Sequence, residues 1–81
     1  MERFTITRTR RWGNADTRVD HVYSANRVDV KRDDVIRMAN TMIEKETVNT
    51  NEEVEFEVFL CYDNGNIETI HRVDKEGIKS L

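Results

Sequence analysis

The sequence predicts an α+β fold: a four-stranded, mostly antiparallel sheet with one helix packed on one face, in the order β-β-α-β-β. Three observations lead to this fold class. Residues 53–58 alternate between glutamate and apolar side chains, Asn64-Gly65 follows as a turn signal, and residues 33–45 carry apolar side chains at helical spacing. Period-two alternation is typical of a half-buried strand, whereas a 3.6-residue period is typical of a helix lying on a sheet.

The third predicted strand is the clearest element. Glu53, Glu55 and Glu57 point to one face and the apolar residues between them to the other, because successive side chains of a strand alternate. From residue 59 to 62 both faces are apolar or aromatic, so we expect this end of the strand to be covered on both sides, by another part of the chain or by a partner.

A hairpin is predicted after this strand. Residues 63–66 contain Asn64-Gly65, which tolerates the positive φ angles of a tight turn, and residues 67–73 return antiparallel. The apolar residues of the returning strand, Ile67, Ile70 and Val73, mix two periods, which indicates a bulge.

The first two strands are predicted at 3–12 and 18–23, joined by a loop at 13–16 and ended by residues 24–26. Strict alternation would place Arg8 and Arg10 on the same face as Phe4 and Ile6. Because unpaired buried arginines are costly, we expect either that this end of the strand emerges from the core or that a bulge shifts its register.

The helix is predicted from Asp33, as its N-cap, to about Lys45. Extending the helical pattern further places Arg32 and Glu46 inside the apolar arc, which argues against a longer helix. An ion pair between Asp34 and Arg37 is expected at i, i+3.

Eighty-one residues predict a single small domain, 1–81, whose polar segment 74–81 docks or frays as a tail. The predicted core contains Phe4, Ile6, Val19, Val35, Ile36, Ala39, Met42, Ile43, Val54, Phe56, Val58, Leu60 and Ile70.

The charge of the chain is unevenly distributed. Residues 1–37 contain nine Lys/Arg and six Asp/Glu, a net of +3, whereas residues 38–81 contain four and ten, a net of −6. One cysteine cannot form an internal disulfide, which fits a reducing compartment. Neither a signal peptide nor a membrane-spanning run is evident, so we expect a cytoplasmic protein.

Enzyme and metal chemistry find little support in the sequence. His21, His71 and Cys61 are the only histidines and the only thiol, and the three glycines are far apart. A Cys–His pair needs a third, orienting group, and a metal site needs three or four ligands at suitable spacing. We expect a protein that is not an enzyme and that needs no metal and no cofactor.

The leading functional hypothesis is an acidic surface for a basic, nucleic-acid-binding protein. Three carboxylates on one strand face repeat at roughly 7 Å, close to the spacing of phosphates along a nucleic-acid strand. The simpler interpretation is a solvated face that keeps the domain soluble. The candidate residues on the acidic side are Glu44, Glu46, Glu52, Glu53, Glu55, Glu57, Asp63 and Glu68.

Two alternatives remain open. The arginine-rich first strand could bind nucleic acid directly, with phosphate contacts and a stacking platform from Arg8, Arg10, Arg11, Trp12 and Arg18. These arginines could instead pair with the acidic strands within the sheet, which would also weaken an acidic surface. The second alternative is a structural or homo-oligomeric module, for example a homodimer, that uses the apolar residues 59–62.

In type, the chain resembles the small proteins with which bacteriophages inhibit host machinery, such as inhibitors of the nucleoid protein HU. The resemblance rests on the length, the single cysteine, the lack of an enzyme motif, and Glu52-Glu53-Val54-Glu55-Phe56-Glu57 beside a compact α+β pattern. It implies a DNA mimic that inhibits a nucleoid or defence protein in the host cytoplasm. Phage antirestriction and anti-CRISPR proteins share these features, and no functional residue is carried over from any of them.

Overall fold

The computed structural model describes residues 1–13 and 16–76. These residues form four strands and one α-helix, with a single 3-10 turn at Arg27–Asp29. The four strands form one antiparallel sheet in the order β2-β1-β3-β4, so the predicted fold class is confirmed. The elements are β1 (Arg3–Trp12), β2 (Thr17–Asn26), α1 (Arg32–Lys45), β3 (Glu52–Cys61) and β4 (Ile67–Glu76).

Helix α1 packs against β3, β4 and β1 on one side of the sheet, which we call the inner face. The opposite side is the open face. The buried apolar residues lie between α1 and the inner face: Phe4, Ile6, Val35, Ala39, Ile43, Val54, Phe56, Val58 and Leu60.

Most of the predicted core is therefore correct. Met42 and Ile70 are partly buried against it, and Ile36 is also half-buried. Val19 was wrongly placed in the core: it is 55% exposed because it pairs with Thr9, whose side chain belongs to the open face.

Two bulges set which side chains face the helix. Tyr23 pairs with Ile6 and His21 with Thr7, so Val22 is an extra residue on β2. Ile70 is likewise an extra residue on β4, which explains the mixed spacing of its apolar side chains and confirms the predicted bulge.

Helix α1 begins two residues earlier than expected. Lys31 is the N-cap, without a side-chain capping bond, so the prediction that Asp33 caps the helix is wrong. The carbonyl of Lys31 accepts hydrogen bonds from the backbone N–H groups of Asp34 and Val35. Asp33 and Asp34 instead lie in the first turn, where carboxylates favour the positive end of the helix dipole. The ion pair between Asp34 and Arg37 is present at 2.8 Å.

The hairpin between β3 and β4 is confirmed. The backbone N–H of Tyr62 donates to the carbonyl of Asn66, and that of Gly65 donates to the carbonyl of Tyr62. Gly65 adopts a φ of 88°, a value that glycine reaches without a steric penalty. A hydrogen bond of 2.8 Å between His71 of β4 and Asn40 then ties the returning strand to α1.

Two predicted boundaries differ from the structure. Strand β2 continues past residue 23, because Ser24, Ala25 and Asn26 pair with the first residues of β1. The predicted tail 74–81 begins inside β4, which extends to Glu76. The rest of that predicted tail lies outside the described residues.

Candidate functional site

Strand β3 carries glutamates on both faces of the sheet. Glu52 continues the alternation of the buried residues Val54 and Phe56 and is itself only 4% exposed. Glu53, Glu55 and Glu57 occupy the opposite phase, on the open face, and we call these three the glutamate ladder. Neighbouring positions on one strand are therefore placed in two different environments.

On the inner face, Glu52 belongs to an ion-pair cluster. The continuous pairing of β1 with β3 keeps Arg8 and Arg10 on the same face as Phe4 and Ile6. Arg10 donates to Glu52 and to Glu46, and Arg8 lies 3.7 Å from Glu46 and 3.1 Å from Asp20. We call Arg8, Arg10, Asp20, Glu46 and Glu52 the inner ion-pair cluster.

This cluster corrects one expectation about the first strand. The bulge is on β2 and leaves the pairing of β1 with β3 continuous, so no register shift moves the two arginines, and their side chains emerge only in part from the core, at 31% and 20% exposure. Glu46, which follows the last residue of α1, approaches them from the helix side. The arginines remain on the core side because the carboxylates of Glu46 after α1, Asp20 of β2 and Glu52 of β3 compensate them.

The ion pairs of the cluster shift the pKa values of Arg10, Glu52 and Asp20 in the directions expected of paired charges. The hydrogen bond from Arg10 lowers the pKa of Glu52, and the same bond raises the pKa of Arg10. The hydrogen bond from Arg8 lowers the pKa of Asp20. The carboxylates of Glu52 and Asp20 are thus held in their charged form, and Glu52 additionally accepts a hydrogen bond from the backbone N–H of Asn49.

The glutamate ladder is partly neutralised from both sides. Arg72 of β4 lies 3.7 Å from Glu55 and 2.9 Å from Glu57, and Arg11 of β1 lies 4.0 Å from Glu53. The side chains of Glu55 and Glu57 are only 16% and 17% exposed, whereas that of Glu53 is 54% exposed. The surface is therefore less acidic than three free carboxylates would be.

Glu55 titrates in the opposite sense to Glu52. Partial burial raises its pKa, the charge of Glu57 raises it further, and Arg72 opposes both effects. A carboxyl group whose charged form is disfavoured in this way gains from the approach of a further cation.

A row of short side chains lies beside the ladder. Thr5, Thr7 and Thr9 share the open face of β1, and register places Thr7 between Glu57 of β3 and His21 of β2. Thr7 and Thr9 are each only 7% exposed, and register places them between side chains of β2 and β3 that include the longer glutamates of the ladder. The open face is thus a shallow trough with one acidic wall.

The trough widens into an apolar cavity at the end opposite Glu53. The cavity has a volume of about 620 Å³ and is open to solvent. Its lining carries no carboxylate, lysine or arginine among the described residues: Thr5, Thr7, His21, Val22, Tyr23, Ser24, Phe59, Cys61 and Ile67. Phe59 and Cys61 are half-buried by these neighbours, so the expectation that a partner covers this side of the strand end stays a prediction.

The remaining predicted acidic residues do not join the ladder. Glu44 is exposed on α1, Asp63 in the hairpin accepts from the N-terminal ammonium at 2.6 Å, and Glu68 accepts from the hydroxyl of Tyr62 at 2.7 Å. Glu46 and Glu52 belong to the inner ion-pair cluster. Of the eight predicted residues, the structure brings together on the open face only Glu53, Glu55 and Glu57.

The predicted arginine track is also divided between faces. Arg8 and Arg10 contact inner-face carboxylates, whereas Arg11 lies on the open face near Glu53. Arg18 is exposed and bonds Asp20 at 3.2 Å, and Trp12 lies at the end of β1, 36% exposed. Sequence reasoning missed Arg72 and the threonine row, although the alternation of Thr5, Thr7 and Thr9 was visible.

Within the described ranges, no group of three or more His, Cys, Asp or Glu side chains is arranged to hold a metal ion. Among those same residues, no helix has the length and apolar character needed to cross a membrane. Comparison of the chain with protein-family models, with curated proteins and with solved structures finds no match.

Proposed function

We propose that this chain is a non-enzymatic binding protein that uses its open face to engage a basic, nucleic-acid-binding protein. The observation that carries the proposal is the glutamate ladder on a sheet face that α1 leaves uncovered. Three carboxylates repeat there at roughly 7 Å. Because phosphate contacts dominate the affinity of proteins for nucleic acids, a fixed row of carboxylates competes for the same basic surface.

The division of charge between the two faces supports this proposal. Arg8 and Arg10 are the basic residues that would most reduce the acidity of β3, and their partners are on the inner face. On the open face, register places Asp74 of β4 beside Glu55. The glutamate ladder and Asp74 together supply four carboxylates, whereas only two arginines, Arg11 and Arg72, lie near them among the described residues. The surface offered to a partner is therefore acidic despite its internal pairs.

The raised pKa of Glu55 adds a second argument. Its carboxylate is partly desolvated and is repelled by that of Glu57. A cation from a partner relieves this repulsion, so part of the electrostatic strain within the ladder becomes favourable binding free energy. Binding of this kind is steered by charge and weakens as salt screens it.

Direct nucleic-acid binding is the weaker candidate for this geometry. Arg8 and Arg10, the first two arginines of the predicted nucleic-acid-binding track, are paired with carboxylates on the inner face. The open face presents carboxylates, which repel an approaching phosphate. A host nucleoid protein such as HU is the partner that the resemblance in type suggests, and a cytoplasmic location belongs to the same proposal.

The test is a pull-down from bacterial lysate with the tagged protein, at low and at moderate salt, with and without nuclease. We expect a basic nucleic-acid-binding protein that is retained after nuclease treatment and released as salt rises. The variant with Glu53, Glu55 and Glu57 changed to Gln should lose this protein while keeping its circular dichroism spectrum.

The matched control is Glu44→Gln, which removes an exposed carboxylate from α1 and leaves the open face intact. It should capture as much of the partner as the unchanged protein. Capture that survives loss of the whole ladder would contradict the proposal, and recovery of nucleic acid itself would support the alternative.

A further inference from the structure

We infer that the open face receives an extended segment of its partner, in which one bulky apolar side chain enters the cavity and basic side chains at alternate positions meet the glutamate ladder. The inference deepens the proposed function and rests on it, because the ladder must bind cations for the register to matter. It adds a specific chemistry: an apolar anchor next to an alternating basic stretch.

The cavity and the glutamate ladder follow one another along the same strand. Phe59 lines the cavity, and Glu57, Glu55 and Glu53 follow it at successive alternate positions of β3. These positions repeat at roughly 7 Å, as do the alternate side chains of any extended segment. A segment that aligns with β3 therefore matches all four positions in one register.

The surface beside the ladder has a shape and polarity that suit such a segment. The threonine row provides a floor of short side chains, with Glu55 and Glu57 on one side and His21 on the other. Such a trough admits side chains from above without displacing Arg72, which lies on the far side of the ladder on β4. An extended segment that packs face to face on a sheet runs nearly parallel or antiparallel to its strands, and the proposed docking requires this alignment with β3.

The two ends of the cavity differ in charge. Arg3 lies at the end opposite the ladder, where its guanidinium donates to Ser24 and to Asn26 at 2.7–3.1 Å. A basic residue on that side of the anchor is repelled, whereas one on the ladder side is attracted. The preferred segment therefore has its basic residues on one side of the apolar anchor only.

The experiment titrates the full chain with two pairs of peptides, four in all, and follows binding by NMR at low salt. One peptide of each pair has lysine at three alternate positions and phenylalanine at the next alternate position, and the other has serine in place of that phenylalanine. The two pairs have the anchor at opposite ends, because the chain direction is free. We expect the phenylalanine peptide of one direction to bind about tenfold more tightly, from the apolar area buried.

Two variants locate this preference. Ser24→Trp fills the cavity from the edge strand and should abolish the preference for phenylalanine, while Ile67→Ser removes an exposed wall and should reduce it about threefold. Val28→Ser is the matched control, since Val28 is 80% exposed and lies outside the cavity. It should leave both affinities unchanged.

The outcomes separate this inference from the proposed function. Equal affinities for the two peptides, both lost when the ladder is neutralised, would overturn the apolar anchor and leave the acidic surface standing. Binding that ignores the ladder would remove the proposed function itself. A concentration-dependent dimer that Ser24→Trp abolishes would show that a second copy covers the cavity, which would also overturn the inference.

Discussion

Glu52 and Glu55 lie three residues apart on β3 and illustrate two different uses of the same side chain. Glu52 is buried on the inner face, where the hydrogen bond from Arg10 lowers its pKa. Glu55 lies on the open face, where desolvation and the neighbouring Glu57 raise its pKa. One carboxylate is therefore stabilised by the fold in its charged form, whereas the other is held charged at a disadvantage.

The difference teaches which acidic residues are available to a partner. A carboxylate whose pKa is lowered already has its cation, so a partner gains little from meeting it. A carboxylate whose pKa is raised has unsatisfied charge, and a partner's cation improves its environment. The inner ion-pair cluster is therefore expected to stabilise the fold, and under the proposed function the glutamate ladder is the surface that a partner meets.

The largest expected effect follows from removing Arg10. Arg10→Met leaves Glu46 and Glu52 on the inner face without their closest cation, and we expect a loss of about 3 kcal/mol in the free energy of unfolding. Chemical denaturation measures it. Arg11→Met is the matched control on the next residue, where the side chain is half exposed, and should change stability by less than about 0.5 kcal/mol. Equal losses in the free energy of unfolding for Arg10→Met and Arg11→Met would contradict the stabilising role of the inner ion-pair cluster.

A smaller loss is expected for Glu52→Gln, because Glu52 accepts from Arg10 and from the backbone N–H of Asn49 through its two separate oxygens, and the single amide oxygen of glutamine keeps one of these hydrogen bonds. The pKa of Glu52 is lower in the folded state than its ordinary value of 4.5. Its contribution is therefore complete above about pH 4.5 and disappears as the pH falls through the folded pKa. Denaturation curves should show unchanged protein and variant differing at pH 7 and converging in acid.

The opposite sign is expected for Glu55→Gln. Because the folded pKa of Glu55 is raised above 4.5, its charge destabilises the folded state at neutral pH. Removing the charge should stabilise the protein at pH 7 by less than about 1 kcal/mol. The gain should disappear below pH 4.5, where the carboxyl is protonated in both states. A loss of stability at pH 7 would contradict the assignment of Glu55.

The smallest effect on stability is expected for Arg72→Gln, since the arginine side chain is 60% exposed and its ion pairs are screened by solvent. Its consequence should appear in the titration of the ladder. Loss of the Arg72 charge should raise the pKa of Glu55 further, measured by carboxyl-carbon NMR. An unchanged pKa of Glu55 would show that Arg72 does not neutralise the ladder.

Much of the fold follows from local patterns. The alternation of residues 53–58, the helical spacing of Val35, Ala39 and Ile43, and the turn at Gly65 each depend on residues close in sequence. These signals predicted the element order and most of the core. Val19 was misplaced because its face depends on the register between β1 and β2, which includes a bulge.

The division of the candidate site could not be predicted in the same way. Arg8 and Arg10 on the core face, and Glu46 inside the apolar arc of the helix, each violated a local rule when considered alone. In the folded protein the positive charges of Arg8 and Arg10 and the negative charge of Glu46 compensate one another, because β1 lies next to the end of α1. Such compensation depends on contacts between residues 36 positions apart, and the sequence gives no register for them.

The most direct test of the comparison is a carboxyl NMR titration that follows Glu52 and Glu55 in the same sample. We predict that Glu52 titrates below its ordinary pKa of 4.5 and that Glu55 titrates above it. This result would support a stabilising role for the inner ion-pair cluster and an unsatisfied charge on the open face. Coincident titrations, or the reverse order, would contradict the central claim that β3 separates its carboxylates into two functional classes.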